Sequence, residues 1–338
     1  MRNERYYYSI MSEIERNAYK TIYEGLKARA YTIEVPLCMA PDQVQEVYLR
    51  VLYDNPLFYF VNQTVIRMAG IPGCYALLPE YLYSAKEITL LNRDIRNVVN
   101  KLREKANTML DNEFRLEKFL HDSVVKSVAY DYDSLMKNDC FNAHSIVGAF
   151  LDKKAVCEGI AKAFKLLCNE YSIKCIVVLG RADPKGKFDG DCYHAWNLVK
   201  IGDESYHVDP TWDNMYDKGL EHISYDYFNL TTNDIMKDHR PIGELPICTA
   251  TRLNYFTSTK SFVDSYEGLY NLIAQRWGKK AIMFKYSDIN GELRSPEEVY
   301  VKSYMALQKI MFDTRVYRKC AFMFNEPHHI CKILVLSE

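Results

Sequence analysis

A chain of 338 residues is long enough for about two domains, and its 48% hydrophobic and 26% charged composition is that of a folded globular protein. Its 43 Lys and Arg nearly cancel 44 Asp and Glu, leaving a formal net charge of -1 that excludes the basic footprint of a nucleic-acid binder. No stretch reaches the ~20 apolar residues that span a bilayer, the first residues lack a signal-peptide core, and the ten cysteines form neither Cys-x-x-Cys nor a paired zinc spacing. The expectation is a reduced, cytoplasmic protein with no membrane or nucleic-acid partner and no cofactor.

Helical apolar spacing (Ile10, Ile14, Ala18, Ile22, Leu26) predicts a first helix over 9–29, and Val44, Val47, Val51 and Leu52 predict a second over 42–54, stopped by Asn55-Pro56. A strand pair is expected around the turn at Gly70-Ile71-Pro72-Gly73, followed by two long helices over 88–110 and 113–129. From 142 to 230 the pattern is helix, strand, strand, strand. The polar stretch 249–259 reads as a linker. Beyond it come a helix (262–277), a strand (281–286), a helix (296–312) and two strands around Asn325-Glu326-Pro327-His328, where His328-His329 offers no ligand geometry. This divides the chain into an N-terminal region of helices and a β-hairpin (1–112), a central core (113–244) and a small C-terminal α+β region (245–338). Cys38, Cys74, Cys140, Cys168, Cys175, Cys248, Cys320 and Cys331 read as buried thiols.

The chemistry concentrates between Lys154 and Trp212. Cys157 opens a helix whose stripe (Ile160, Phe164, Leu167, Cys168, Tyr171) turns the thiol toward the packed layer, where free backbone N–H groups and the helix dipole favour a thiolate. Gly159 leaves room in that first turn for a substrate backbone. The Gly202-Asp203 turn pairs Ile201 with Glu204, which sets Trp196 opposite Asp209 and brings His194 and Asp209 to one face, ~7–8 Å apart at the backbone. A carboxylate there can hold the imidazole in one tautomer while the other nitrogen addresses the thiol. His207 shares the face of Asp209 and is the rival base, opposite Leu198 and farther from the cysteine. Trp196 and Trp212 shield the His–Asp pair from water. Cys192, two residues before His194, is a spare thiol in the site wall or a redox or metal partner. Asp189 and Asp191 lie in a loop (181–191) that lacks the ligand series of a calcium site, so no metal is expected.

These motifs resemble the transglutaminase-like superfamily. The matching residues are Lys154-Ala155-Val156-Cys157-Glu158-Gly159 with Ala161 and Ala163, then His194-Ala195-Trp196-Asn197, then Val208-Asp209-Pro210-Thr211-Trp212, with weaker matches at His121-Asp122, Tyr130-Asp131 and 145–148. Over about 113–230, the resemblance implies an α+β fold: a papain-like transglutaminase core in which the Cys-bearing helix packs on an antiparallel sheet. It implies Cys157 as nucleophile, His194 as general base and acid, and Asp209 as the orienting carboxylate. Transglutaminases proper tend to carry an aromatic residue directly after the nucleophile. Glu158 instead resembles the microbial, protease-like branch, which turns the expectation from cross-linking toward hydrolysis. The oxyanion donor is left open among the Cys157 N–H, Tyr130, Asn142 and His144.

The expected function is acyl transfer by a cysteine peptidase or amidase acting on a peptide or protein substrate. A protein-glutamine transamidase is the alternative acceptor chemistry, and a non-catalytic binding module on the same fold is the alternative class.

Overall fold

The computed structural model describes residues 5–36, 38–64, 66–71, 74–134, 140–188, 192–214 and 222–336. The chain begins with α1 (Tyr6–Ile10), α2 (Glu13–Lys27), β1 (Ile33–Pro36), α3 (Pro41–Asp54), β2 (Arg67–Ile71) and β3 (Cys74–Leu78). Two long helices follow, α4 (Ala85–Asn107) and α5 (Glu113–Ser127). The central part holds β4 (Ala129–Tyr130), a 3₁₀ turn (Phe141–His144), a π turn (Gly148–Asp152), β5 (Lys154–Ala155), α6 (Cys157–Glu170), β6 (Lys174–Ala182), β7 (Tyr193–Ile201) and β8 (Glu204–Val208). Then come α7 (Thr232–Ile235), β9 (His239–Pro241), α8 (Tyr255–Ser258), β10 (Phe262–Val263), α9 (Tyr266–Arg276), β11 (Ala281–Tyr286), α10 (Pro296–Thr314), β12 (Cys320–Asn325) and β13 (Ile330–Val335).

The fold is α+β. Its central sheet runs β8-β7-β6-β9, antiparallel throughout, and α6 packs against β6 and β7. Continuous burial from Ile160 to Asn169 shows why: α6 is enclosed on every side, so even Lys162 and Lys165 lie inside. A three-stranded sheet β1-β3-β2 belongs to the N-terminal region, and its helices share one apolar core with the central sheet. The C-terminal sheet, β10-β11-β13-β12, has a second core of its own, with Leu269, Ile282, Phe284, Leu307 and Ile333 at its centre. Among the described residues no helix is long and apolar enough to cross a membrane.

Several expectations are corrected. The segment expected as a helix over 262–277 starts as strand β10, because Phe262 and Val263 pair in parallel with Lys285 and Tyr286. The polar stretch 249–259 is packed down: Leu253, Asn254 and Phe256 are buried, and Asn229 Nδ2 donates to the Leu253 carbonyl at 3.2 Å. Of the eight cysteines read as buried, Cys168, Cys175, Cys248 and Cys331 are so. Cys38 is exposed, and Cys74, Cys140 and Cys320 are half-buried near element ends. Pro72, Gly73, Asp189 and Asp191 lie outside the described residues.

Candidate active site

Three elements deliver the central residues. Cys157 is the first residue of α6, His194 the second of β7, and Asp209 follows the last residue of β8. Helices α2, α4, α5, α9 and α10 have their first turns capped by a Ser or Asn side chain. The residue before α6 is Val156, which supplies no side-chain cap, so the donors of that first turn stay available at the cysteine.

The hairpin register is Ile201↔Glu204 through Asn197↔Val208. Continued one step, it brings Asp209 beside Trp196 and within reach of His194. His194 Nε2–H donates to Asp209 Oδ2 at 2.6 Å, and the Cys157 sulfur lies close enough to act on the His194 ring. Since Nε2 is committed to Asp209, Nδ1 is the nitrogen left for sulfur. Burial alone would push the imidazole down, but the Asp209 carboxylate and the Cys157 sulfur outweigh it and raise His194 to about 10. Asp209 is fully buried; burial would raise it, yet the positive His194 holds its carboxyl well below the usual range. Its other oxygen, Oδ1, accepts the backbone N–H groups of Thr211 (2.9 Å) and Trp212 (3.1 Å), so the carboxylate cannot swing.

Trp196 stacks on His194 with ring centroids 6.1 Å apart, and Trp212 stands 5.6 Å away on another side. The two indoles wall the His–Asp bond from water, where a charge-assisted hydrogen bond is stronger. His207 is occupied: its Nδ1 accepts the Trp196 indole N–H at 3.2 Å, and burial pushes it down to about 3.

The remaining candidates separate. The Tyr130 hydroxyl lies beside Cys157, and burial together with that sulfur pushes its phenol up, keeping it a donor. Asn142 is engaged elsewhere, with Tyr83 on its Oδ1 and Asp152 Oδ2 3.0 Å from its Nδ2, in a separate pocket of about 490 Å³. His144 Nδ1 faces Glu158 Oε2 at 2.9 Å, and Lys162 Nζ donates to Glu158 Oε1 at 2.6 Å. Glu158 is therefore a half-buried structural anion, next to Cys157 in sequence but committed to Lys162 and His144. Gly159 does not serve substrate approach either. A Cβ there would stand 2.4 Å from the Ala143 carbonyl oxygen and 2.9 Å from that of Ser145, so the glycine lets the 3₁₀ turn pack on α6. Cys192 accepts from Arg181 Nε at 3.3 Å. His121 Nδ1 faces Asp122 Oδ1 and its Nε2 faces Asp213 Oδ2, at 3.2 Å each.

Sequence reasoning missed His239, Asp238 and the true place of His328. His239 Nε2 donates to Asp209 Oδ2 at 3.2 Å, and its Nδ1 faces Asp238 Oδ1 at 2.6 Å. Asp238 Oδ2 in turn faces His328 Nε2 at 2.9 Å, and all three residues are essentially fully buried. Burial would raise Asp238, but the two histidines bring it to about 2. His328, expected to be an uncommitted turn residue, thus reaches the core beneath the site. No periodicity marks Asp238-His239, because β9 is three residues long and joins the far edge of the sheet.

His194, Asp209 and His239 converge closely enough to be tested as a metal site, with one ligand atom from each within 4.8 Å of the others. Two ligands on a tetrahedral zinc at ~2.0 Å stand about 3.3 Å apart. The 2.6 Å His194–Asp209 separation is that of a direct hydrogen bond instead.

A cleft of about 1040 Å³ opens beside His194. The central core supplies Tyr130 and Trp212 to one side, and the β12–β13 hairpin supplies Met323, Phe324 and Glu326 to the other.

With this geometry in place, comparison with known proteins is informative for the central segment. Residues 96–210 match the sequence model of the Transglutaminase-like superfamily, a span that includes Cys157, His194 and Asp209 and ends before His239. No curated protein matches the chain. Among solved structures, a TGase is 17% identical over 45% of this chain and 45% of its own, with a TM-score of 0.31. A putative cysteine protease from Cytophaga hutchinsonii is 17% identical over 43% of this chain and 61% of its own, with a TM-score of 0.26. Menin is 13% identical over 70% of this chain and 44% of its own, with a TM-score of 0.26. The chain thus spans less than half the length of the TGase and of menin, and about three fifths of the protease.

Proposed function

We propose that the chain is a cysteine-nucleophile acyl-transfer enzyme that hydrolyses a peptide or amide bond in a peptide or protein substrate. The observation that carries this reading is the position of His194, with one nitrogen bound to Asp209 at 2.6 Å and the other facing the Cys157 thiol. In that arrangement the imidazolium stabilises a thiolate, and Asp209 fixes the ring's tautomer and orientation.

The Cys157 thiolate attacks the substrate carbonyl carbon and its electron pair moves to oxygen. Uncapped N–H groups at the start of α6 and the Tyr130 hydroxyl are the donors best placed for that oxyanion. His194 Nδ1–H protonates the leaving amine as the C–N bond breaks, leaving a thioester and a neutral imidazole. Water then attacks the thioester, His194 takes its proton, and the thiolate leaves as the carboxylic acid product forms. Water enters through the cleft that reaches His194. The commitment of Glu158 to Lys162 and His144 leaves the choice between water and an amine to this cleft.

Iodoacetamide labelling tests the nucleophile. Cys157 is expected to label at least about tenfold faster than the exposed Cys38 at roughly pH 6, and His194→Ala is expected to abolish the advantage. Equal rates for the two thiols would remove the enzyme reading. A thioester formed on a peptide amide, then offered water against a primary amine, separates hydrolase from transamidase by the product.

A further inference from the structure

His239 and His328 take no part in the steps above, yet both are buried with ring nitrogens on carboxylates. From Asp209 the contacts run in one line: to His239 Nε2 at 3.2 Å, from His239 Nδ1 to Asp238 at 2.6 Å, and from Asp238 to His328 Nε2 at 2.9 Å. Both nitrogens of His239 face carboxylate oxygens, so the ring bridges Asp209 and Asp238. His328 turns Nε2 to Asp238, and its Nδ1 has no hydrogen-bond partner among the described residues. Other groups face the same line. The Tyr227 hydroxyl donates to Asp238 Oδ2 at 2.8 Å, and Trp212 and Trp196 pack on His239 with centroids 4.5 and 5.0 Å away. Facing His194 itself are Cys157, Asp209 and the His239 ring, its centroid 5.5 Å away, while the Tyr130 hydroxyl faces Cys157.

The far end of the line belongs to the C-terminal hairpin. Around His328, Asn325 Nδ2 donates to Asp226 Oδ2 at 3.0 Å, and Lys332 Nζ donates to the same oxygen at 2.7 Å. The hairpin that walls the cleft is therefore pinned to the central core by side chains on both of its strands. Buried carboxylates are costly unless paired, and here Asp209 and Asp238 are joined through His239.

We propose that His239, Asp238 and His328 are positioning residues that hold Asp209, and through it His194, in the productive orientation, so that the active site is complete only with the C-terminal hairpin docked. This inference rests on the Cys157–His194–Asp209 assignment of the preceding section.

The test uses the full chain and needs no substrate. The pH dependence of Cys157 alkylation by iodoacetamide is measured, by mass spectrometry of the peptide carrying it, for the unaltered protein, His328→Leu, His328→Gln, His239→Gln and His194→Ala. His328→Leu removes the donor to Asp238 and is expected to slow labelling near pH 6 about three- to tenfold and shift the acid limb upward, the size of one ordinary lost hydrogen bond. His328→Gln retains an N–H donor at the same reach and is expected to recover most of the rate. A lowered melting temperature with an unchanged pH–rate profile in His328→Leu would overturn the proposal. Should that variant not fold, His239→Gln decides, since it can donate to only one of its two carboxylates; an unchanged profile there overturns the proposal equally. Fast labelling that depends on His194 but on neither His239 nor His328 rejects the relay alone. Slow labelling of the unaltered Cys157 rejects the enzyme reading and the relay together.

Discussion

The cysteine helix and the Asp209 carboxylate are each steadied by a cluster of charge, one built with the N-terminal region and one with the C-terminal hairpin. On the first side Lys162, fully buried, donates to Glu158 at 2.6 Å and to Gln63 Oε1 at 2.9 Å, while His144 faces the other Glu158 oxygen. On the second side, carboxylate and imidazole alternate from Asp209 to His328. The first cluster closes on itself: its cation and anion are four residues apart on one helix, and neither touches His194 or Asp209. The second ends on a residue that bonds His194. Pairing is alike in the two, so the difference between scaffold and site support lies in where the chain of hydrogen bonds terminates.

Substitutions can break that distinction. Lys162→Met removes one of the two side-chain partners of Glu158, leaving His144, and is expected to cost about 1–3 kcal/mol in denaturant unfolding. The folded fraction should keep the unaltered pH profile of Cys157 labelling. A collapsed labelling rate in folded Lys162→Met would make the first cluster part of the site after all. Gly159→Ala tests the same side by packing. Its methyl would press on the Ala143 and Ser145 carbonyls, which are backbone and cannot rotate away, and a loss of roughly 1–3 kcal/mol in thermal or denaturant melts is expected. No gain or loss is expected in labelling per folded molecule.

A third carboxylate sharpens the comparison from outside. Glu117 is fully buried and accepts one hydrogen bond, from Asn229 at 3.0 Å, among the described residues. Desolvation, partly offset by that bond, raises it to about 8. Because its folded value lies above the unfolded one, its share of stability is present below about pH 4.5 and lost as pH rises through about 8. Glu117→Gln should flatten that decline and stabilise the protein above pH 8 by on the order of 1–3 kcal/mol, read as the change in unfolding free energy across the window. An unchanged slope would mean that Glu117 titrates alike in the folded and unfolded chain, so that its burial adds no pH dependence.

The parts of the site readable from sequence are those set by local geometry. The Gly202-Asp203 turn determines the β7–β8 register, and a period of two then brings His194 and Asp209 to one face. The opening of α6 at Cys157 is legible in the apolar stripe behind it. What was hidden depends on contacts between strands distant in sequence. His239 reaches Asp209 only because β9 pairs with β6 at the edge opposite β8, a placement that no local pattern encodes. His328 is hidden for the same reason, in a hairpin whose own turn accounts for its residues. Glu158 misleads in the other direction. Its position after Cys157 suggests a role in chemistry, whereas its spacing to Lys162 announces a helix pair.

The hairpin's contribution also has a timetable. His328 comes 90 residues after the carboxylate it binds. At roughly 5–20 residues per second of ribosomal synthesis, Asp209 and His239 emerge about 5–20 seconds before the group that completes their line of contacts. During that interval a nascent chain already carries its thiol and its histidine. The proposed catalytic geometry would mature last, after the surrounding core has had time to close.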